Sequence, residues 1–109
     1  MVSYRIFEFS WFQRQFSFLP LWEKMRVERF ILQIAKNGPF IGKSIRYPFF
    51  REKKFNGKRL YFLVYEEWHA ILLADISDKK GQPETIHRIV FQLEALKNFV
   101  GKKINEYQE

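Results

Sequence analysis

The pattern of apolar and polar positions changes character several times along the chain. Residues 2–9 mix β-branched and aromatic side chains with single polar ones and predict a first strand. Ser10-Trp11-Phe12-Gln13 follows with the S-x-x-Q spacing of a capping box, so a helix is expected to start at Ser10. Pro20 interrupts that pattern. Proline is tolerated in a first helical turn, so Pro20 is read as opening a second helix. Within residues 21–36, Val27, Phe30, Ile31 and Ile34 recur at helical spacing and are expected to face the core. Trp22, Met25 and Leu32 lie on another side of the wheel, where packing on the first helix is expected and a waiting partner is the alternative. Gly38 suits the C-terminal cap of this helix, and Pro39 blocks its continuation.

Residues 40–48, including Gly42-Lys43, read as a connection. Two apolar-aromatic runs then flank Asn56-Gly57 in FFREKKFNGKRLYFLVY, a strong hairpin signal because both residues tolerate positive φ. Its strands are expected at 49–55 and 58–66, with a turn at Glu67-Trp68. HAILLADIS, residues 69–77, is apolar enough for a central strand, closed by Asp78-Lys79-Lys80-Gly81. Gln82-Pro83-Glu84 opens a last helix with a stripe of Ile86, Ile89, Val90, Leu93 and Val100; Gly101-Lys102-Lys103 is read as its end, with a frayed tail beyond. The order β-α-α-β-β-β-α predicts an α+β fold, with helices packed on one face of a small, mostly antiparallel sheet. At 109 residues, the whole chain (1–109) is expected to form a single domain.

Composition narrows the function. Nineteen Lys and Arg against 12 Asp and Glu give a net charge of +7, which favours a polyanionic partner or an acidic protein. The absence of cysteine excludes a disulfide framework and a thiol nucleophile, and with only His69 and His87 no structural zinc site is expected. No apolar run approaches the roughly 20 residues that span a bilayer. Arg5 and Glu8 interrupt the first apolar stretch, so a signal peptide is not expected either, and the expected location is cytoplasmic.

No phosphate-binding loop, dinucleotide fingerprint, HExxH or GxSxG is present, and Asp75, Ser77 and His87 lack the spacing of a triad. The basic hairpin is the richer signal. Arg51, Lys53, Lys54, Lys58 and Arg59 crowd the turn against one acid, Glu52. A two-residue type I′ loop pairs Lys54 with Arg59 and Glu52 with Tyr61. A Gly57 bulge instead pairs Lys53 with Arg59 and Arg51 with Tyr61. The bulged register leaves Phe50, Leu60, Phe62 and Val64 on one face, and Arg51, Lys53, Arg59 and Tyr61 on the other. Burial on one face is therefore expected to select the bulge. Clustered cations repel, which favours a lysine able to act as a general base, while arginines can hold a phosphate. RNA carries its own nucleophile in the 2′-hydroxyl, so such a face could cleave RNA without a metal. A non-catalytic phosphate-binding face fits the same residues.

The segments IAKNGPFIGKSI, FREKKFNGKRLYFLVYEE and AILLADISDKKGQPETI resemble the RelE/ParE toxin superfamily, over roughly residues 4–100. The likeness rests on N-G-P and G-K after the helical pair, a basic strand, an arginine opening the next strand, and a strand ending in Lys-Lys. It implies the RelE-like fold and a small toxin neutralised by a cognate antitoxin, with no cofactor. RelE-like members are ribosome-dependent, metal-independent mRNA endoribonucleases; ParE-like members inhibit DNA gyrase. By position, the resemblance implies a catalytic set of Arg51, Lys53, Arg59 and Lys80. Lys53 (with Lys54 as the alternative) would be the base, Arg51 and Arg59 would hold the phosphate, and Lys80 would stabilise charge. Lys54, Lys58, Lys79 and Tyr61 would hold RNA, and His87 would stand in for a proton donor. At the position where RNA-cleaving members often carry a C-terminal tyrosine or histidine stands Ile86, and Lys80 replaces a frequent arginine. A plain basic RNA-binding domain is a further reading of the same residues.

Overall fold

The computed structural model describes residues 3–38 and 40–107. Strand β1 (Arg5–Glu8) is followed by α1 (Ser10–Ser17) and α2 (Leu21–Asn37), then by β2 (Lys43–Ile45), β3 (Tyr47–Phe55) and β4 (Lys58–Tyr65). A 3-10 turn at Glu66–Trp68 leads to β5 (Ala70–Asp78), α3 (Gln82–Phe91) and α4 (Leu93–Tyr107). The five strands form one sheet in the order β1-β5-β4-β3-β2. β1 runs parallel to β5 and the other neighbours are antiparallel, so the sheet is mixed but mostly antiparallel, as expected. Both edge strands are short, four residues in β1 and three in β2, which limits the unpaired backbone that could recruit another chain.

The class holds, but the helices divide between the two faces of the sheet. On one face Phe12 of α1 and Val27, Phe30 and Ile34 of α2 pack on Leu60, Phe62, Val64, Ile71, Leu73 and Ile76. On the other, Ile89 of α3 and Leu96, Val100 and Ile104 of α4 pack on Phe50, Tyr61, Leu63, Tyr65, Leu72 and Ala74. Seven consecutive residues of β4 and seven of β5 are buried as a result. A strand covered on both sides needs no alternation, and the unbroken runs LYFLVY and AILLADI carry that signal.

Several boundaries differ from the sequence reading. α1 is capped by Phe9 without a side-chain hydrogen bond, so Ser10 stands inside the first turn and no capping box forms. The Gln13 amide instead bonds Glu8 Oε1 at 3.3 Å. Pro20 is the N-cap of α2, and Gly38 (φ +93°) caps its end by bonding Ile34 O at 3.0 Å. The expected contributions of Val2 and Pro39 lie outside the described residues. Trp22, Met25 and Leu32 stay exposed rather than packing on α1. The connection 40–48 contains β2, unmarked in the sequence because it is three residues long and flanked by left-handed Gly42 and Arg46. The last helix is two: α3 ends at Phe91, and Gln92 joins it to α4, its N–H donating to Ile89 O at 3.0 Å and its carbonyl accepting from Leu96 N at 2.9 Å. α4 then runs through Gly101, which faces the Trp68 ring and does not end the helix. Ile104, beyond it, is buried in the core.

Candidate functional site

The hairpin turn decides where every basic side chain points. Asn56 (φ +45°) and Gly57 (φ +75°) are both left-handed, the backbone of a two-residue type I′ loop. The register follows: Phe55 pairs with Lys58, Lys54 with Arg59, Lys53 with Leu60, Glu52 with Tyr61 and Arg51 with Phe62. The bulged register is therefore absent, and Arg51, Lys53 and Arg59 do not share a face. Selection by burial required one face of the ribbon to be open. Because helices cover both, neither register is excluded by exposing apolar residues, and the turn chemistry sets the outcome.

On the α2 side, Arg51, Lys53 and Lys58 have local structural partners. The Arg51 guanidinium donates to Gly42 O at 3.0 Å and Pro48 O at 3.4 Å, tying β3 to the loop before β2. Lys53 Nζ lies 5.3 Å from the centre of the Phe30 ring. Lys58 reaches Glu23 Oε1 at 2.5 Å, and Asn56 Nδ2 donates to Glu23 Oε2 at 2.7 Å. Glu23 is buried in the first turn of α2 and so fastens the hairpin tip to that helix.

On the α3 side, Glu52, Lys54, Arg59 and Tyr61 project together with Asp75 and Ser77 of β5. The β4–β5 register shifts after Tyr61, leaving Ala74 as the extra residue and bringing Asp75 opposite Tyr61. Asp75 is buried, accepts from Ile76 N at 2.8 Å and pairs with Arg88 of α3. The Arg88 guanidinium also lies 4.3 Å from the Trp11 ring centre. Burial pushes the Asp75 carboxyl above its ordinary value, and Arg88 only partly offsets this. Tyr61, expected to contact RNA, has no exposed surface; its hydroxyl is 2.8 Å from Ser77 Oγ, and burial raises its pKa. Arg59 is 7% exposed, with Nε 3.5 Å from Glu52 Oε1. Gln82 Nε2, at the start of α3, donates to both Glu52 oxygens at 3.0 and 3.3 Å.

Lys54 is exposed directly opposite Arg59. β5 ends with Asp78 opposite Lys58, so Lys79 and Lys80 leave the sheet at the hairpin-tip end, where both are exposed. His87 is exposed on α3 and stacks near Phe91, ring centres 6.3 Å apart, beside an open groove formed with Gly81, Glu84 and Arg88. Asp75, Ser77 and His87 form no triad: Asp75 is held by Arg88 and Ser77 by Tyr61. The sequence reading missed Glu52, Gln82, Asp75, Arg88 and Glu23 as organising residues. A lone acid inside an apolar strand was the available signal, because a buried charge needs a partner.

A mixed five-stranded sheet with two helices on each face defines a small open α+β class. Within it, the chain has the RelE fold. Isolated E. coli RelE toxin superposes with a TM-score of 0.63 at 16% identity, covering 80% of this chain and 99% of that one. A doubly arginine-substituted E. coli RelE in the free state gives 0.66 at 13% identity, over 81% and 99% of the two chains. The toxin–antitoxin complex RelBE2 of Mycobacterium tuberculosis gives 0.54 at 17% identity, over 72% and 94%. No family sequence model matches the chain. No curated protein matches it significantly in sequence. Among the described residues no helix is long and apolar enough to cross a membrane.

Proposed function

We propose that the protein is the toxin of a type II toxin–antitoxin pair and acts in the cytoplasm on messenger RNA at the ribosome, cutting it without a metal. The observation that carries this reading is the gathering of cations at one end of a RelE-type sheet: Lys54 opposite Arg59, with Lys79 and Lys80 emerging beside them. In this reading the RNA backbone crosses the α3-side end of the hairpin. Lys54 takes the 2′-hydroxyl proton, the 2′-oxygen attacks the adjacent phosphorus, and the bond to the 5′-oxygen breaks. Arg59 and Lys80 balance the charge on the phosphate, and His87 is the candidate donor to the leaving 5′-oxygen. The products are a 2′,3′-cyclic phosphate and a 5′-hydroxyl. Arg51 and Lys53, on the other face, hold structure or contact more distant RNA.

The antitoxin is seated on the α1–α2 junction in this reading. Phe18, Leu21, Trp22 and Met25 are exposed together around the α1–α2 junction, and complexes of RelE-fold toxins with antitoxins have been solved for E. coli and M. tuberculosis proteins. Primer extension on mRNA in a reconstituted translation system tests the activity: site-specific cuts that need ribosomes support it, and undisturbed translation overturns it. One observation favours a second reading. Arg59 and Arg88 each already face a buried carboxylate, which suits a toxin that binds its target without cleaving, such as a ParE-like gyrase inhibitor. DNA damage without translation arrest on induction would select that alternative.

A further inference from the structure

Arg59 is a buried cation whose hydrogen-bonding capacity is almost unspent. A guanidinium has five N–H donors in a rigid fork. Among the described residues, Nη1 makes one long bond, 3.5 Å to Gly57 O, and the buried Nε makes none. Among the described residues its one ion-pair partner is Glu52, whose Oε1 lies at 3.5 Å rather than the 2.7–2.9 Å usual for a charge-assisted contact. The unbonded Nε of Arg51 is a different case, because both terminal nitrogens of that residue are engaged by carbonyl oxygens. Glu52, in contrast, is well held: Gln82 of α3 donates to both its oxygens. The carboxylate is thus positioned by α3 more tightly than by the arginine it neutralises.

We infer that Glu52 is an internal occupant of an anion site on Arg59, which a phosphodiester of single-stranded RNA fills by displacing the carboxylate. This rests on the RNA-directed reading above and adds to it a masked state of the site and the residues that hold the mask. Without Glu52, a buried Arg59 opposite Lys54 would leave two like charges facing each other across the hairpin, which is unfavourable. With it, the pair is neutral until a phosphate offers shorter, better-aligned bonds. The Gln82 amide holds the carboxylate beside Arg59 and so secures the masked state against exchange. Occupation of the site is therefore coupled to the position of the first turn of α3.

The test compares the intact protein with Glu52→Gln, Gln82→Ala, Glu52→Gln/Arg59→Gln and Glu28→Gln, where the exposed Glu28 matches the change in net charge away from the site. Binding of a fluorescent uridine oligonucleotide is titrated at several salt concentrations, and the thermal midpoint is measured with and without inorganic phosphate. Glu52→Gln is expected to bind RNA about tenfold more tightly, on the scale of a charge-assisted contact. Its salt slope should steepen by about 0.7, one phosphate on a single strand. Phosphate should raise its midpoint more than that of the unaltered protein. Gln82→Ala is expected to gain less, and the Arg59 double variant to lose the gain. The inference is overturned if neither single variant binds more tightly, if Glu28→Gln gains equally, or if the gain survives loss of Arg59. Cleavage is scored separately. Tighter binding with no cut in any variant overturns the nuclease reading and leaves the masked site standing, whereas cutting without any gain does the reverse.

Discussion

Two buried carboxylates set how this protein responds to acid, and they act in opposite directions. Burial pushes Glu23 up, but the Asn56 amide, the Lys58 ammonium and the nearby Arg26 more than offset it, leaving the group below its ordinary 4.5. A depressed carboxylate stabilises the fold above its unfolded pKa, and that contribution is lost as pH falls through the folded value. Asp75 is raised above 3.8 by burial, so the folded state takes up its proton more readily. Its penalty applies above the folded pKa and disappears as pH falls towards 3.8 and below. Urea unfolding between about pH 7 and about pH 3 is expected to show a smaller acid-side loss for Glu23→Gln than for the unaltered protein. At neutral pH the same variant should cost about 1–3 kcal/mol, because Lys58 loses its charged partner. Arg88→Gln should move the Asp75 carboxyl further up, read by carboxyl-carbon NMR titration. These roles were only partly legible in the chain. Asp75 stands out as one acid in an apolar strand, but its partner depends on how α3 crosses the sheet, which no local pattern encodes.

At the scale of elements, two left-handed glycines carry very different constraints. A Cβ at Gly57 would meet nothing within 4 Å, so Gly57→Ala pays only for its backbone conformation, about 1–2 kcal/mol. At Gly42 a Cβ would stand 2.0 Å from the Glu52 carbonyl oxygen, a collision with backbone. Gly42→Ala is therefore expected to cost more than about 3 kcal/mol and to release β2 from β3, seen as lost amide protection of Lys43 and Ile45 in hydrogen exchange. The hairpin, the central strand and the second helix were legible because turn chemistry and apolar runs are local. The register was misread because it depended on the number of layers: Arg51 and Lys53 look out of place beside Leu60 and Phe62 only if the other face of the ribbon meets water. In the fold, the Phe30 ring and the Gly42 and Pro48 carbonyls receive them. Gly101 does not end the last helix, because the residues beyond it, Ile104 among them, are held in the core.

For the molecule as a whole, the net charge of +7 is distributed unevenly in effect. Arg59, Arg88 and Lys58 are paired with buried acids, while Lys54, Lys79 and Lys80 remain exposed at the hairpin end. RNA affinity is accordingly expected to fall steeply with salt, and Lys79→Ala/Lys80→Ala should flatten that dependence by about 1.4 in the logarithmic slope. Phe18, Leu21, Trp22 and Met25 are exposed apolar side chains at the α1–α2 junction, which Glu23 ties to the hairpin tip, so antitoxin binding and RNA binding are expected to use different side chains at neighbouring places. Trp22→Ser should weaken antitoxin capture and leave RNA affinity unchanged.

Engagement of RNA from the α3 side of the hairpin, as proposed, is tested by comparing the two faces in one assay. Primer extension of ribosome-bound mRNA is read with purified unaltered protein, Lys54→Ala, Arg59→Ala and Lys53→Ala, each verified as folded by its thermal midpoint. Cuts bearing a 2′,3′-cyclic phosphate are expected with the unaltered protein and with Lys53→Ala, and a loss of at least about a hundredfold with Lys54→Ala or Arg59→Ala. Cutting that survives in Lys54→Ala and Arg59→Ala but is lost in Lys53→Ala would contradict it.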